Sequence, residues 1–116
     1  MMTNQNIVKK LFKIIPEFEM YARNTDEDID LPYMVFGALA TYIKELADKK
    51  DEILLKSCFD LLDSLINSGD SSAYDLVMTG TFELLSDSED GISIAQKYLV
   101  GKSLDAFNIV VEAFKE

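Results

Sequence analysis

The stretch 51–67, DEILLKSCFDLLDSLIN, decides the fold. Leu55, Cys58, Phe59, Leu62, Leu65 and Ile66 recur at intervals of three and four residues and share one helical face. Leu54 and Leu61 widen that face. The polar strip left over is narrow: Lys56, Asp60, Asp63 and Asn67, at i, i+4, i+7 and i+11. A helix this apolar is expected to lie centrally, with neighbours on several sides. Gly69, after Asn67 and Ser68, stops it, because glycine accepts the left-handed conformation.

The same periodicity extends in both directions, and no segment alternates cleanly with period two. Upstream, Pro32 opens a helix over 32–48 with the stripe Phe36, Leu39, Ala40, Ile43, Leu46 and Ala47. The polar loop NTDEDIDL, 24–31, precedes it. Before that loop, Ile7, Leu11, Ile14, Ile15 and Phe18 share a face behind Thr3, a plausible N-cap. Pro16 marks a kink there, or the first turn of a second short helix. Downstream, a helix begins near Ser71 or Ser72, where Ser72-x-x-Asp75 resembles a capping box. Its face is Ala73, Leu76, Val77, Gly80 and Leu84. Gly80 costs about 1 kcal/mol against alanine in mid-helix, so it is read as a point of close packing. SDSEDG, 86–91, is a turn. A helix carrying Ile92, Ala95 and Leu99 follows, ended by Gly101. Ser103 caps a last helix with Leu104, Phe107, Val111 and Phe114. The reading is all-α: one compact domain over 1–116, of five or six antiparallel helices joined by short turns. An irregular bundle and a short stack of helical hairpins both fit, and no repeat period of a solenoid is present.

Charge narrows the function. The 116 residues hold 21 acids, 11 bases, one cysteine and no histidine, for a net charge of −10. Residues 1–15 carry Lys9, Lys10 and Lys13 without an acid, so the rest of the chain is at −13. The 40 residues 57–96 contain no base at all. Nucleic acid is therefore not an expected partner, because phosphate binding needs a basic face. The lysines of the first helix, set among Ile7, Val8, Leu11, Phe12, Ile14 and Ile15, make it amphipathic. The acidic body would be repelled by anionic lipid, so this helix is read as docked on the fold, with no membrane partner. The start has neither the unbroken apolar run nor the cleavage site of a signal peptide, and a cytoplasmic location is expected.

Catalytic material is sparse. Without histidine there is no Ser–His or Cys–His pair, and Cys58 on an apolar stripe reads as packing. Asp26, Asp28 and Asp30 imitate the start of an EF-hand loop, but Leu31 stands where the loop needs glycine and Gly37 where it needs glutamate. No phosphate-binding glycine loop occurs. No enzyme activity, metal or cofactor is expected. Recognition residues remain: the acids Asp26, Glu27, Asp28, Asp30, Asp60, Asp63, Asp87, Glu89 and Asp90, with Tyr33 and Tyr74 at helix starts after acidic loops.

Tyr33-Met-Val-Phe-Gly37, Leu55-Lys-Ser-Cys-Phe-Asp60, Asn67-Ser-Gly-Asp70 and Phe82-Glu-Leu-Leu85 together resemble a group of small all-helical bacterial proteins of unknown function. Some of that group look like immunity proteins encoded beside polymorphic toxins. The resemblance implies a helical fold and a protein-binding role, and it supplies no catalytic residues. The leading expectation is an immunity or inhibitor protein that occludes a basic toxin or nuclease by steric cover and charge mimicry. The alternative is a helical adaptor or regulatory scaffold that takes a peptide or partner helix in an apolar groove. Self-association stays open, and the same acids serve solubility on any reading.

Overall fold

The computed structural model describes residues 2–25 and 29–114. Helices α1 (Asn4–Ile14), α2 (Pro16–Asn24), α3 (Pro32–Asp48) and α4 (Glu52–Ile66) form the first half. Helix α5 is continuous but of mixed geometry: α-helical over Ser71–Asp75, π-helical over Leu76–Phe82 and α-helical again over Glu83–Leu85. Helices α6 (Glu89–Tyr98) and α7 (Gly101–Ala113) complete it. The described residues thus make seven continuous helices and no strand, against the five or six expected. The extra helix comes from Pro16, which ends α1 at its preceding residue and opens α2 as a helix of its own.

Local chemistry sets the boundaries. The Thr3 side chain accepts from the Asn6 amide, and Asp51 accepts from the Leu54 amide at 3.2 Å. The cap of α5 is Asp70, in place of the expected Ser72 box. Asp70 is extended, and one carboxylate oxygen takes the Ser72 and Ala73 amides at 2.8 and 3.3 Å. Gly101 does not end α6, which stops at Tyr98 with Leu99 extended. With φ +54° Gly101 instead opens α7. Ser103 is likewise no cap: it lies buried in the first turn of α7 and donates its hydroxyl to the Asp63 carboxylate of α4.

The core is continuous. Phe18, Phe36, Phe82 and Phe107 are among its largest fully buried side chains, and Phe82 and Phe107 meet edge to face with ring centres 5.3 Å apart. The central place belongs to α3, which packs on α1, α2, α4, α5 and α6. A hairpin stack would confine each unit to its chain neighbours, so the fold is an irregular bundle. Helix α4 has neighbours on several sides, as its wide stripe predicts: α3, α5, α6 and α7. Ile14 departs from its predicted face, at 48% exposure, because α1 ends there and buries Ile7, Val8, Leu11 and Phe12 instead.

Asp70 also ties the chain start to α5. Its second carboxylate oxygen accepts the Met2 amide at 2.9 Å. That bond, with those from Ala73 and Ser72, holds the Asp70 carboxyl below its ordinary value of 3.8. A carboxyl whose pKa is lower folded than unfolded stabilises the fold above the unfolded value, and loses that contribution as pH falls through the folded one. Asp70→Asn should therefore melt below the wild type near neutral pH. The gap in Tm should close as the solution is taken below pH of about 3.8. Thermal melts across an acid series check this.

Candidate protein-binding groove

Between α3 and α5 lies a groove of about 880 Å³. The two helices meet there almost backbone to backbone. A Cβ on Gly80 would sit 2.7 Å from the Phe36 Cβ, and one on Gly37 would sit 3.1 Å from Leu84 Cδ1 and 3.8 Å from the Gly80 carbonyl oxygen. Gly80, which its helix-propensity cost marks as a point of close packing, is one, and Gly37 is a second. Beside them Thr81, fully buried, donates its hydroxyl to the Phe36 carbonyl at 2.7 Å and fixes the crossing.

The π-helical stretch explains what α-helical periodicity misplaces. Its i→i+5 bonding spreads the residues of a turn, so a face projected at 3.6 residues drifts off register. The expected face ends on Leu84, but Phe82 and Leu85 are the buried residues and Leu84 is 44% exposed. Leu84 thereby becomes part of the groove wall. Met34 at 50% and Tyr33 at 40% stand on the α3 side, and Phe114 at 60% reaches in from the end of α7. Four large apolar or aromatic side chains are thus held open to water around a floor of small residues. Tyr33 follows from its position at a helix start after a polar loop. Met34 and Leu84 escape sequence reasoning, since a single exposed Met or Leu is unremarkable until its neighbours are known. Helical spacing places Phe114 on the buried stripe of α7, but the residues buried there are Ser103, Ala106, Phe107 and Val110.

The edge of the groove is acidic. Glu83 and Asp87 line it. At its Tyr33 end the tyrosine hydroxyl donates to Asp75, which Thr79 also approaches at 3.5 Å. That bond to Asp75, with lesser help from burial and the nearby charge, raises the Tyr33 pKa above its usual value and keeps the phenol neutral. On the other side Lys44 is committed to the Leu84 carbonyl at 3.3 Å.

The remaining predicted recognition residues fall in different places. Glu89 and Asp90 are exposed in the first turn of α6, separated from Asp87 by the capping Ser88. Tyr74 is partly buried against the core. Asp60 is exposed on α4 and pairs with Lys56 at 2.9 Å. Asp63 is occupied within the fold, accepting from Ser103 and, at 3.2 Å, from Asn67. Asp30 borders a smaller cleft of about 310 Å³ with Lys9, Phe12 and Arg23. Asp26, Glu27 and Asp28 lie outside the described residues. The structure therefore brings Tyr33 and Asp87 to the groove, sets Glu89 and Asp90 beside Asp87 in sequence, and leaves Asp60 and Asp63 on α4.

Cys58 is fully buried, and burial, reinforced by Asp51 and Glu17, pushes its thiol up to about 12. It is a neutral packing group. Among the described residues no three His, Cys, Asp or Glu side chains are grouped to hold a metal ion, and no helix is long and apolar enough to cross a membrane.

No curated protein and no solved structure matches the chain. Over residues 8–111 it matches the family model described as a domain of unknown function, DUF7674, and with nearly its whole length inside that match the chain belongs to this family.

Proposed function

We propose that the chain is a non-enzymatic protein-binding domain whose working face is the α3–α5 groove with its acidic edge. The observation that carries this reading is the set of exposed apolar side chains, Tyr33, Met34, Leu84 and Phe114, around one groove. Leaving such residues clustered in water has no benefit to the isolated fold, and clustered exposed apolar surface marks interaction sites. The π-helical stretch beneath it adds weight, because π-helical insertions occur frequently at functional sites. This favours the adaptor or regulatory reading.

The base-free stretch 57–96 favours a second reading from the same face. There Asp87, Glu89 and Asp90 extend the acidic edge, and the domain acts as an immunity or inhibitor protein covering a basic toxin or nuclease. Electrostatic steering would speed such an association.

The test is co-purification from the native host, followed by identification of the bound protein. The partner should be lost with the double variant Met34→Asp, Leu84→Asp, retained with Asp60→Asn, and released progressively as salt screens the acids. A partner that survives the groove variant places binding elsewhere and overturns the proposal. If the partner is a toxin or nuclease, loss of its activity on binding selects the inhibitor reading over the adaptor.

A further inference from the structure

We infer that the occupant of the α3–α5 groove is a basic amphipathic α-helix of a partner protein. This rests on the groove being the working face and names what fills it. Three features point the same way. First, the described residues offer no strand, so an extended peptide would find no sheet edge to supply main-chain hydrogen bonds, whereas a helix arrives with its own backbone already bonded. Second, the α3 wall presents Tyr33, Met34, Gly37, Ala38 and Thr41, a run of more than two helical turns, or about 12 Å at 1.5 Å per residue. That length accommodates anchors at i, i+3 or i+4, and i+7 of an incoming helix. The small floor residues let its backbone come close, while Met34, Leu84 and Phe114 flank its apolar face.

Third, the charge around the groove is one-sided. Helix α5 carries Asp75 and Glu83 and no base, and Asp87 follows it. The lysine on the facing wall, Lys44, is already committed to the Leu84 carbonyl and is followed on α3 by the exposed Asp48. An incoming helix that buries leucine-like side chains in the groove therefore exposes its polar flanks to carboxylates. Lysine or arginine there is attracted, and glutamate is repelled. An acidic amphipathic helix of the same shape is excluded by charge, which gives the groove a selection rule beyond hydrophobicity.

The test uses the full chain and three labelled synthetic peptides, each of about 15 residues so that a helix can form. One is Leu/Lys with leucines at helical spacing, one has the same composition scrambled, and one is Leu/Glu at the first spacing. Fluorescence anisotropy reads the affinity. The helical Leu/Lys peptide should bind at least tenfold tighter than its scramble, and the Leu/Glu peptide should not bind. Met34→Ser with Leu84→Ser should abolish the advantage over the scramble, and Glu83→Gln with Asp87→Asn should weaken the Leu/Lys peptide while leaving the scramble ratio. Both variants alter exposed or groove-edge side chains, and their melting curves show whether the fold is intact. The wild-type comparison between helical and scrambled peptides needs no variant, so it stands if either variant fails to fold. Equal binding of the scramble means bulk electrostatics alone and overturns the inference. Equal binding of the Leu/Glu peptide, or a dimer of the free chain that is lost in the groove variant, also overturns it. If these peptides fail while a native partner still depends on Met34 and Leu84, the occupant is wrong and the groove stands. If the native partner ignores both residues, the groove reading itself falls.

Discussion

Gly91→Ala is expected to destabilise the fold by about 3 kcal/mol, through overpacking against rigid backbone. Gly91 lies buried in the first turn of α6, and its amide donates to the capping Ser88 hydroxyl at 3.0 Å. A Cβ there would lie 2.1 Å from the Leu85 carbonyl oxygen and 2.9 Å from the Leu85 carbonyl carbon. Those atoms belong to the last turn of α5 and cannot rotate away as a side chain can. Relief requires the α5–α6 corner to open. Alanine gains at most about 1 kcal/mol from helix propensity, too little to offset the clash. At roughly 4 °C or more per kcal/mol for a domain of this size, the drop in Tm should exceed about 10 °C. Gly69→Ala is the matching control. Nothing lies within 4 Å of its Cβ, so its cost comes only from the φ of +79°, about 1 to 2 kcal/mol. Urea melts that rank Gly69→Ala as the more damaging would contradict the packing of α6 on α5.

Gly80→Ala should cost about 2 kcal/mol by the same mechanism at a different contact. Its Cβ would meet the Phe36 Cβ at 2.7 Å, and the first side-chain carbon of a residue inside a helix moves only with the backbone. Phe36 is fully buried, and its carbonyl already holds Thr81, so α3 is pinned at this point. Separation of α3 from α5 would widen the groove above it. The variant should thus lose stability and weaken partner binding together, whereas Met34→Ser with Leu84→Ser should weaken binding with the melting temperature nearly kept. Measuring both quantities on both variants separates the support of the groove from its contact surface.

Much of the fold was legible because its local signals agree. Residues 32–48 and 51–67 have unbroken apolar stripes, and the observed α3 and α4 fall within one residue of those bounds. Thr3 caps α1, Pro32 opens α3, and Cys58 packs in the core as its neighbours Leu55 and Leu62 imply. The failures occur where two chemistries compete for one role. Asp70 and Ser72 can each cap a helix, and the carboxylate that also holds Met2 takes the position. Ser103 has the composition of a cap but is drawn into the α4–α7 contact by Asp63.

The candidate site was legible only in fragments. Tyr33 and Asp87 have local reasons for exposure, and Gly37 and Gly80 have local costs that demand an explanation. Their meeting around one groove is a property of how α3 crosses α5, which no spacing within either helix encodes. Asp60 and Asp63 show the converse: neighbours on a helix face in sequence, they are separated in role by Lys56 and Ser103.

By itself, the sequence determined an all-helical chain, a base-free acidic stretch and a thiol placed for packing, because each follows from residue type and short-range spacing. The tertiary structure alone decided that α5 takes up a π-helical stretch, that Leu84 turns outward while Leu85 turns in, and that Phe114 comes to line the same groove as Met34. The physical reason is register. A change in residues per turn leaves composition and spacing untouched, yet it moves every later side chain around the helix, and only the packing of α5 against α3 shows where they arrive.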